Sequence, residues 1–300
     1  MRIVFLGTPD FSVPCLQALI NSKHEVIACV TQLDKARNRM VVSYSPVKEE
    51  ALKHDIKVLQ YEKIRRDGVQ DLKELNPDIM VTCAYGQIIS QEILDIPKYG
   101  VINVHASLLP KYRGSAPIQW AIINGEKETG ITIMQTALGV DSGDIILQEK
   151  VAIKENETAG ELFDDLSQIA PSILLKAIDL IESGKATFTK QDEREATHFP
   201  MLTKEDGHID WEDDGKNIIN KIYGLNPWPS AYSTLDGKIF KIYKASFEKA
   251  DTNTFGQIYK NKVACKDGYI ILDEVQIEGK KRMSFDEFSR GYKVDGMVLN

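Results

Sequence analysis

Along the first 184 positions the apolar residues fall into two alternating rhythms. RIVFLG (2–7) is a continuous apolar run stopped by a Gly-Thr-Pro turn, and VPCLQALIN behind it spaces its apolar residues three and four apart. The first reads as a strand buried on both faces, the second as an amphipathic helix. EVIACVT (25–31) reads as the next buried strand. Ser45-Pro46 then offers an N-cap with proline at the first helical position, opening a helix through SPVKEEALKHD with Glu49 in its first turn. KVLQ, GVQDLKELN, DIMVTCAYG and SQEILDI continue the alternation. Strands and helices in this order predict an α/β architecture: a doubly wound, mostly parallel, Rossmann-like sheet, its strands joined by right-handed crossovers and both faces covered.

Beyond that sheet the pattern changes. Residues 158–184 form one long helical pattern with Thr158 and Glu161 as a capping box and Gly184 as terminator. KATFTKQDEREATHFPMLTKEDGHIDW is polar and aperiodic, and predicts a linker. After NPWP, the segments KIFKIYKASF, FGQIYKNKVACKD, YIILDEVQI and GYKVDGMVLN alternate apolar and polar residues between glycine turns, as in a small OB-like β-barrel. The expected organisation is a sheet domain over 1–187, a linker over 188–204 and a C-terminal barrel over 205–300.

Composition narrows the function classes. With 300 residues, 43% hydrophobic and 27% charged, the chain is ordinary globular material with room for two domains. A net charge of −7 argues against the whole chain being an electrostatic nucleic-acid binder. The barrel differs, because between Lys238 and Lys293 twelve Lys and Arg face eight Asp and Glu. That local excess suits an RNA backbone, although a solvated lysine-rich surface has the same composition. Tyr243, Tyr259 and Tyr269 fit base stacking or, more simply, the barrel core. No apolar run approaches the length of a membrane span, the opening MRIVFLGTPDF is too short for a secretory leader, and Cys15, Cys29, Cys83 and Cys265 form no C-x-x-C pair. We therefore expect no membrane association, no metal, no disulfide framework and a cytoplasmic location. Gly7 lacks a G-x-G-x-x-G continuation and no P-loop occurs, which argues against nicotinamide and ATP sites.

The candidate chemistry sits in VINVHASLLP (101–110). In a strand Asn103 and His105 share one face and Ile102 and Val104 the other. Two polar groups on one side at a strand's carboxyl end lie where open parallel sheets place their ligand crevice. An isolated buried pair bonded to backbone is the bland alternative. The following SLLPKYRGSAPIQW is broken by Pro110 and Gly114, and its loop backbone offers donors and acceptors that a flat heteroaromatic ligand could meet as it would a strand edge. Next, GITIMQTAL reads as a strand, and GVDSGDI as a glycine-rich loop. There Asp141 is free to reach an imidazole or to close a local Asx turn.

NVHASLLPKYRGSAPIQWAIINGEKETGITIM, followed by GVDSGDI, resembles the folate-dependent formyltransferases. The opening MRIVFLGTPDFSVPCLQAL, Thr31-Gln32-x-Asp34, SPVK and the late NPWPSAY resemble the branch of that family that acts on a charged tRNA, and the match runs over most of the chain. The resemblance implies 10-formyltetrahydrofolate as formyl donor without a metal, initiator Met-tRNA as partner, and a monomer. It places catalysis on Asn103, His105 and Asp141 and the folate-lining residues on Ser107, Leu108, Leu109 and Pro110. Arg39 keeps the family's spacing from Asp34 and is the implied tRNA contact, although Met40, Val41 and Val42 stand where the family has glycines, prolines and lysines. A formyltransferase acting on a nucleotide-linked amino sugar would share Asn103, His105 and Asp141, but SPVKEEA and the basic barrel argue against it. A non-catalytic folate or RNA binder would not need all three.

These residue types suit the implied chemistry. Moving a formyl group between nitrogens builds an oxyanion, which the Asn103 amide and a protonated His105 can stabilise, preorganised donors of this kind being worth about 3 to 4 kcal/mol each. Asp141 beside the imidazole would fix its orientation. Either His105 or Asp141 relays the proton between the two nitrogens.

Overall fold

A computed structural model describes residues 1–37 and 41–300, with side chains described outside 35–42. The alternating segments become strands β1 (Arg2–Gly7), β2 (Glu25–Thr31), β3 (Lys35–Arg37), β4 (Val41–Ser43), β5 (Val58–Gln60), β6 (Ile79–Cys83), β7 (Val101–His105), β8 (Arg113–Gly114), β9 (Glu128–Gln135) and β10 (Ile145–Ala152). Helices α1 (Val13–Ile20), α2 (Pro46–Lys53), α3 (Ile64–Asp67), α4 (Val69–Leu75), α5 (Gln91–Leu94), α6 (Pro117–Ile123) and α7 (Ala159–Glu182) lie between or after them. Ser45 Oγ accepts from Lys48 N at the start of α2, and Thr158 and Glu161 exchange bonds ahead of α7, Thr158 N donating to Oε2 and Glu161 N to Oγ1. Both are the capped starts expected of these sequences.

Two compact units emerge. The first comprises Met1–Gly114, Thr129–Val151 and Phe163–His198, and the second Ser115–Glu128, Ala152–Leu162 and Phe199–Asn300. The first is built on a seven-stranded sheet in the order β5-β2-β1-β6-β7-β9-β10. Its strands from β5 to β7 are parallel, and β9 turns antiparallel against β7. Ile3, Val4, Phe5 and Leu6 of β1 are all fully buried, so both faces are covered and the strand reads as a continuous apolar run. On one face Val4, Leu6, Ala28, Val30 and Met80 pack with Leu72 and Ile93 from α4 and α5.

In the second unit, α6 packs on α8 (Gly215–Gly224), where a Cβ on Gly224 would sit 2.7 Å from Ile123 Cγ1. The missing side chain lets the two helices meet. Two-residue β11 (His198–Phe199) precedes an antiparallel sheet in the order β12 (Ala231–Leu235), β13 (Lys238–Lys249), β16 (Gly268–Ile277), β15 (Lys262–Cys265), β14 (Ile258–Tyr259), with β17 (Met283–Ser284) on β16, followed by α9 (Phe285–Gly291). Residues 296–300 join its two edges. Thr234 and Asn300 exchange both backbone bonds, Leu299 N donates to Gly256 O and Ile258 N to Met297 O. Edge groups are thereby paired, as the expected small barrel requires. Among the described residues no helix is long and apolar enough to cross a membrane.

Candidate active site

The alternation along β7 sends Asn103 and His105 to one face, and their neighbours fix what each can do. Thr82, across on β6, donates from Oγ1 to Asn103 Oδ1 at 2.8 Å. The amide therefore presents its Nδ2 donors on the opposite side. His105 is buried, with Nε2 2.8 Å from the carbonyl oxygen of Tyr112. A carbonyl can only accept, so Nε2 carries the hydrogen and Nδ1 is the basic nitrogen of the neutral ring. Asp141 Oδ2 lies 3.7 Å from that Nδ1. This is longer than a direct hydrogen bond, so what the carboxylate offers the ring in this geometry is its charge.

Asp141 reaches His105 by an indirect route. His105 pairs with Thr132 on β9, whereas β9 ends at Gln135 opposite Ile102. The loop 136–144 thus leaves the sheet three residues below the imidazole and folds back toward it. Asp141 does not close a local turn: its Oδ2 accepts from Gly114 N at 2.8 Å, and its backbone carries a left-handed φ of +48°. Arg113, next to Gly114 and 2% exposed, donates to Gln191 and, with two nitrogens, to Glu193. The Arg113 guanidinium holds the Glu193 carboxyl below its ordinary range.

Ser107 and Leu109 are buried, and Leu108 and Pro110 half-buried. The expectation of an unpaired loop backbone here is corrected. Thr132 Oγ1 donates to Ser107 O and accepts from Leu109 N, Gln148 Nε2 donates to Leu109 O, Lys111 N to Leu108 O and Thr197 N to Pro110 O. Leu108 and Pro110 keep half-exposed apolar surface.

Thr82, Arg113, Thr132, Gln148 and Gln191 were not singled out from sequence, since each is an ordinary polar residue in a segment whose pairing only the fold reveals. Arg39 lies outside the described residues. The hairpin β3–β4 that flanks it is antiparallel, and Asp34 at its base pairs with Lys48 and accepts from Gln60 Nε2. In the second unit Tyr243 is buried, with its hydroxyl donating to Gln276, whereas Tyr259 is exposed and meets Tyr269 edge-on. Lys262, Lys266 and Arg282 are ion-paired with Glu248, Asp214 and Glu274, so of the three pairs only that with Asp214, which lies outside the counted stretch, offsets its basic excess. Away from these sites, His24, Asp179 and Glu182 converge within 4.8 Å, but Lys23 Nζ sits 2.8 and 2.9 Å from the two carboxylates and fills the place of a cation.

The sequence that builds this site has known relatives. Residues 1–178 match the family model described as formyl transferase, and residues 201–293 the model described as formyl transferase, C-terminal domain. A methionyl-tRNA formyltransferase from Caldanaerobacter subterraneus subsp. tengcongensis is 47% identical over the full length of both chains, and one from Agathobacter rectalis is 48% identical over 98% of each. The chain belongs to the methionyl-tRNA formyltransferase family. Among solved structures, the N-formyltransferase of Helicobacter canadensis in complex with folinic acid and dTDP-3-aminofucose has a TM-score of 0.72 at 20% identity, covering 91% of this chain and 98% of its own. The sugar 3N-formyltransferase WlaRD, with dTDP and 5-N-formyl-THF, has a TM-score of 0.71 at 23% identity, covering 94% and 99%. These two share the fold.

Proposed function

We infer that the chain transfers the formyl group of 10-formyltetrahydrofolate to the amino group of methionine on initiator Met-tRNA, for translation initiation, with Asn103, His105 and Asp141 as catalytic residues. In this reaction a bond forms from the methionine nitrogen to the formyl carbon, the bond from that carbon to the folate nitrogen breaks, and one proton crosses between the nitrogens. The observation that carries the assignment is His105: its Nε2 hydrogen is committed to Tyr112 O, which leaves Nδ1, beside Asp141, as the edge that accepts and returns the proton. Asp141 pairs with the imidazolium as it forms. Asn103 donates from Nδ2 to the oxyanion, its Oδ1 being held by Thr82. Leu108 and Pro110, with Ser107 and Leu109 beneath them, supply the surface against which the folate packs.

Formyl transfer is assigned to residues 1–187 and tRNA-backbone binding to the barrel over 205–300, with 188–204 between them and Arg39 as a tRNA contact. The reading includes a cytoplasmic monomer. All four cysteines are free and buried, which suits a reducing compartment, and burial pushes the Cys29 thiol up to about 12, far from a reactive thiolate.

Label transfer from 10-formyltetrahydrofolate to charged initiator Met-tRNA, run beside uncharged tRNA and a nucleotide-linked amino sugar, tests the function. Label on the charged tRNA alone is expected; label on the sugar instead overturns the acceptor assignment.

A further inference from the structure

The loop that carries Asp141 has little apolar packing to hold it. Leu138 and Val140, just before the carboxylate, are 64% and 63% exposed, and Asp141 itself sits at a φ that non-glycine residues adopt at a cost. The side chain that spans the turn is Gln191, which lies fifty residues further along. Its Nε2 donates to Asp141 O at 2.8 Å and to Gly143 O at 2.7 Å, using both hydrogens of one nitrogen on two carbonyls of the same turn.

The orientation of that amide is forced. Arg113 Nε and Nη2 lie 3.0 and 2.9 Å from the other end of the Gln191 side chain, and a guanidinium can only donate, so the atom facing it is Oε1. Arg113 in turn is fixed by burial and by its two-pronged pair with Glu193 at 2.9 and 2.8 Å. Gly143 completes the brace, because a Cβ there would fall 1.7 Å from Gln135 O, so only glycine lets the turn lie this close to β9. A chain of groups, each with one allowed direction, therefore runs from Glu193 through Arg113 and Gln191 to the backbone of Asp141.

We propose that Gln191, aimed by Arg113 and Glu193, is a positioning residue for formyl transfer. It holds the loop 141–143 so that the Asp141 carboxylate stays opposite His105 Nδ1. The proposal rests on the catalytic reading of Asp141 given above. A displacement of about 1 Å at a catalytic group costs on the order of 100-fold in rate, so loosening the turn should be felt in kcat and much less in substrate binding.

The test is a double-mutant cycle in the full-length protein, comparing wild type, Gln191→Leu, Asp141→Asn and the double variant. Gln191→Leu is expected to lower kcat by roughly 10- to 100-fold and to leave KM for folate and for Met-tRNA within about twofold. Its pH profile of kcat/KM should move in the same direction as that of Asp141→Asn. In the Asp141→Asn background the same substitution should change kcat little, because a residue that acts through Asp141 has nothing left to position. Equal loss in both backgrounds, or a wild-type kcat for Gln191→Leu, overturns the proposal. Wild-type turnover of Asp141→Asn instead removes the reading beneath it. Should Gln191→Leu fail to fold because Arg113 loses a partner, Gln191→Glu keeps that pairing while turning acceptors toward the two carbonyls, and the same loss of kcat is expected of it.

Discussion

The end of β7 and the interior of the C-terminal β-sheet both bury polar side chains, yet they use them differently. In the second unit Trp211 Nε1 donates to Ser233 Oγ, Asn226 Nδ2 to Tyr243 O and Tyr223 Oη to Ala245 O, in or beside an apolar core that includes Phe240, Phe288 and Ile277. These groups spend their hydrogen bonds on the fold. At the end of β7, Thr82 and Tyr112 O use up one side of Asn103 and one side of His105, and the other side of each is where the proposed chemistry would act. Buried polarity alone therefore does not mark a site. Unspent bonding capacity beside a fixed partner does.

The sharpest way to break that contrast is to remove the unspent groups. His105→Ala is expected to lower kcat by about 10²- to 10⁴-fold, the range for losing a positioned acid-base group, and Asn103→Ala by about 10²- to 10³-fold, the range for an oxyanion donor. Both variants should keep the wild-type circular dichroism; turnover near wild type in either one would sink the assignment. A smaller effect is expected of Thr82→Val, which keeps the shape and deletes only the hydroxyl that holds Asn103. A kcat loss of about tenfold, near 1.4 kcal/mol, is the outcome to check in single-turnover formylation. Asn226→Ala is the opposite case. It should lower stability by about 1 to 3 kcal/mol, because Tyr243 O loses its donor, with single-turnover kcat unchanged. Thermal melts beside kinetics separate the two, and a kcat loss matching that of Asn103→Ala would erase the contrast.

How much of this was legible in sequence follows from the range of the interactions. Strand alternation is local, so the shared face of Asn103 and His105 and the parallel order of the first sheet could be read from residues 2–105. The capping residues of α2 and α7 were legible for the same reason. The resemblance supplied Asp141, but the way it reaches His105 was not legible, since it depends on β9 ending opposite Ile102 and on Gln191 spanning the turn. The stretch 185–211 has no periodicity and reads as a linker. In the fold Thr189 exchanges backbone bonds with Ile145, and Arg113 N donates to Thr197 O, so that its part up to His198 belongs to the first unit, while Ile209 N donates to Tyr232 O in the second. Aperiodic polar sequence looks the same whether its partners are water or a buried arginine. The barrel's charge count was similarly blind to pairing, because composition registers Lys262 and Glu248 as two charges and the structure as one ion pair.

The smallest expected effect concerns pH, and it sharpens the comparison because the two units should respond differently. His24 is buried in the first unit, and burial, reinforced by the Met1 ammonium 3.3 Å from Nδ1, lowers its pKa below the ordinary imidazole value against the opposing pull of Glu182 and Asp179. The unfolded chain therefore binds a proton that the folded one resists. The stability this contributes is fully present above about pH 6.5, the unperturbed value for histidine, and is lost as pH falls from there toward the lowered folded pKa. Hydrogen exchange of the amides in α1 and β2 should accelerate between pH 7.5 and 5.5, after correction for the intrinsic rate, and His24→Gln should flatten that slope. All three tryptophans, Trp120, Trp211 and Trp228, lie in the second unit, so their fluorescence should stay constant over the same interval. Equal slopes in wild type and His24→Gln would remove His24 as the cause. Parallel changes in tryptophan emission would show that acid acts on both units alike, and the separation drawn between them would then not extend to their stability.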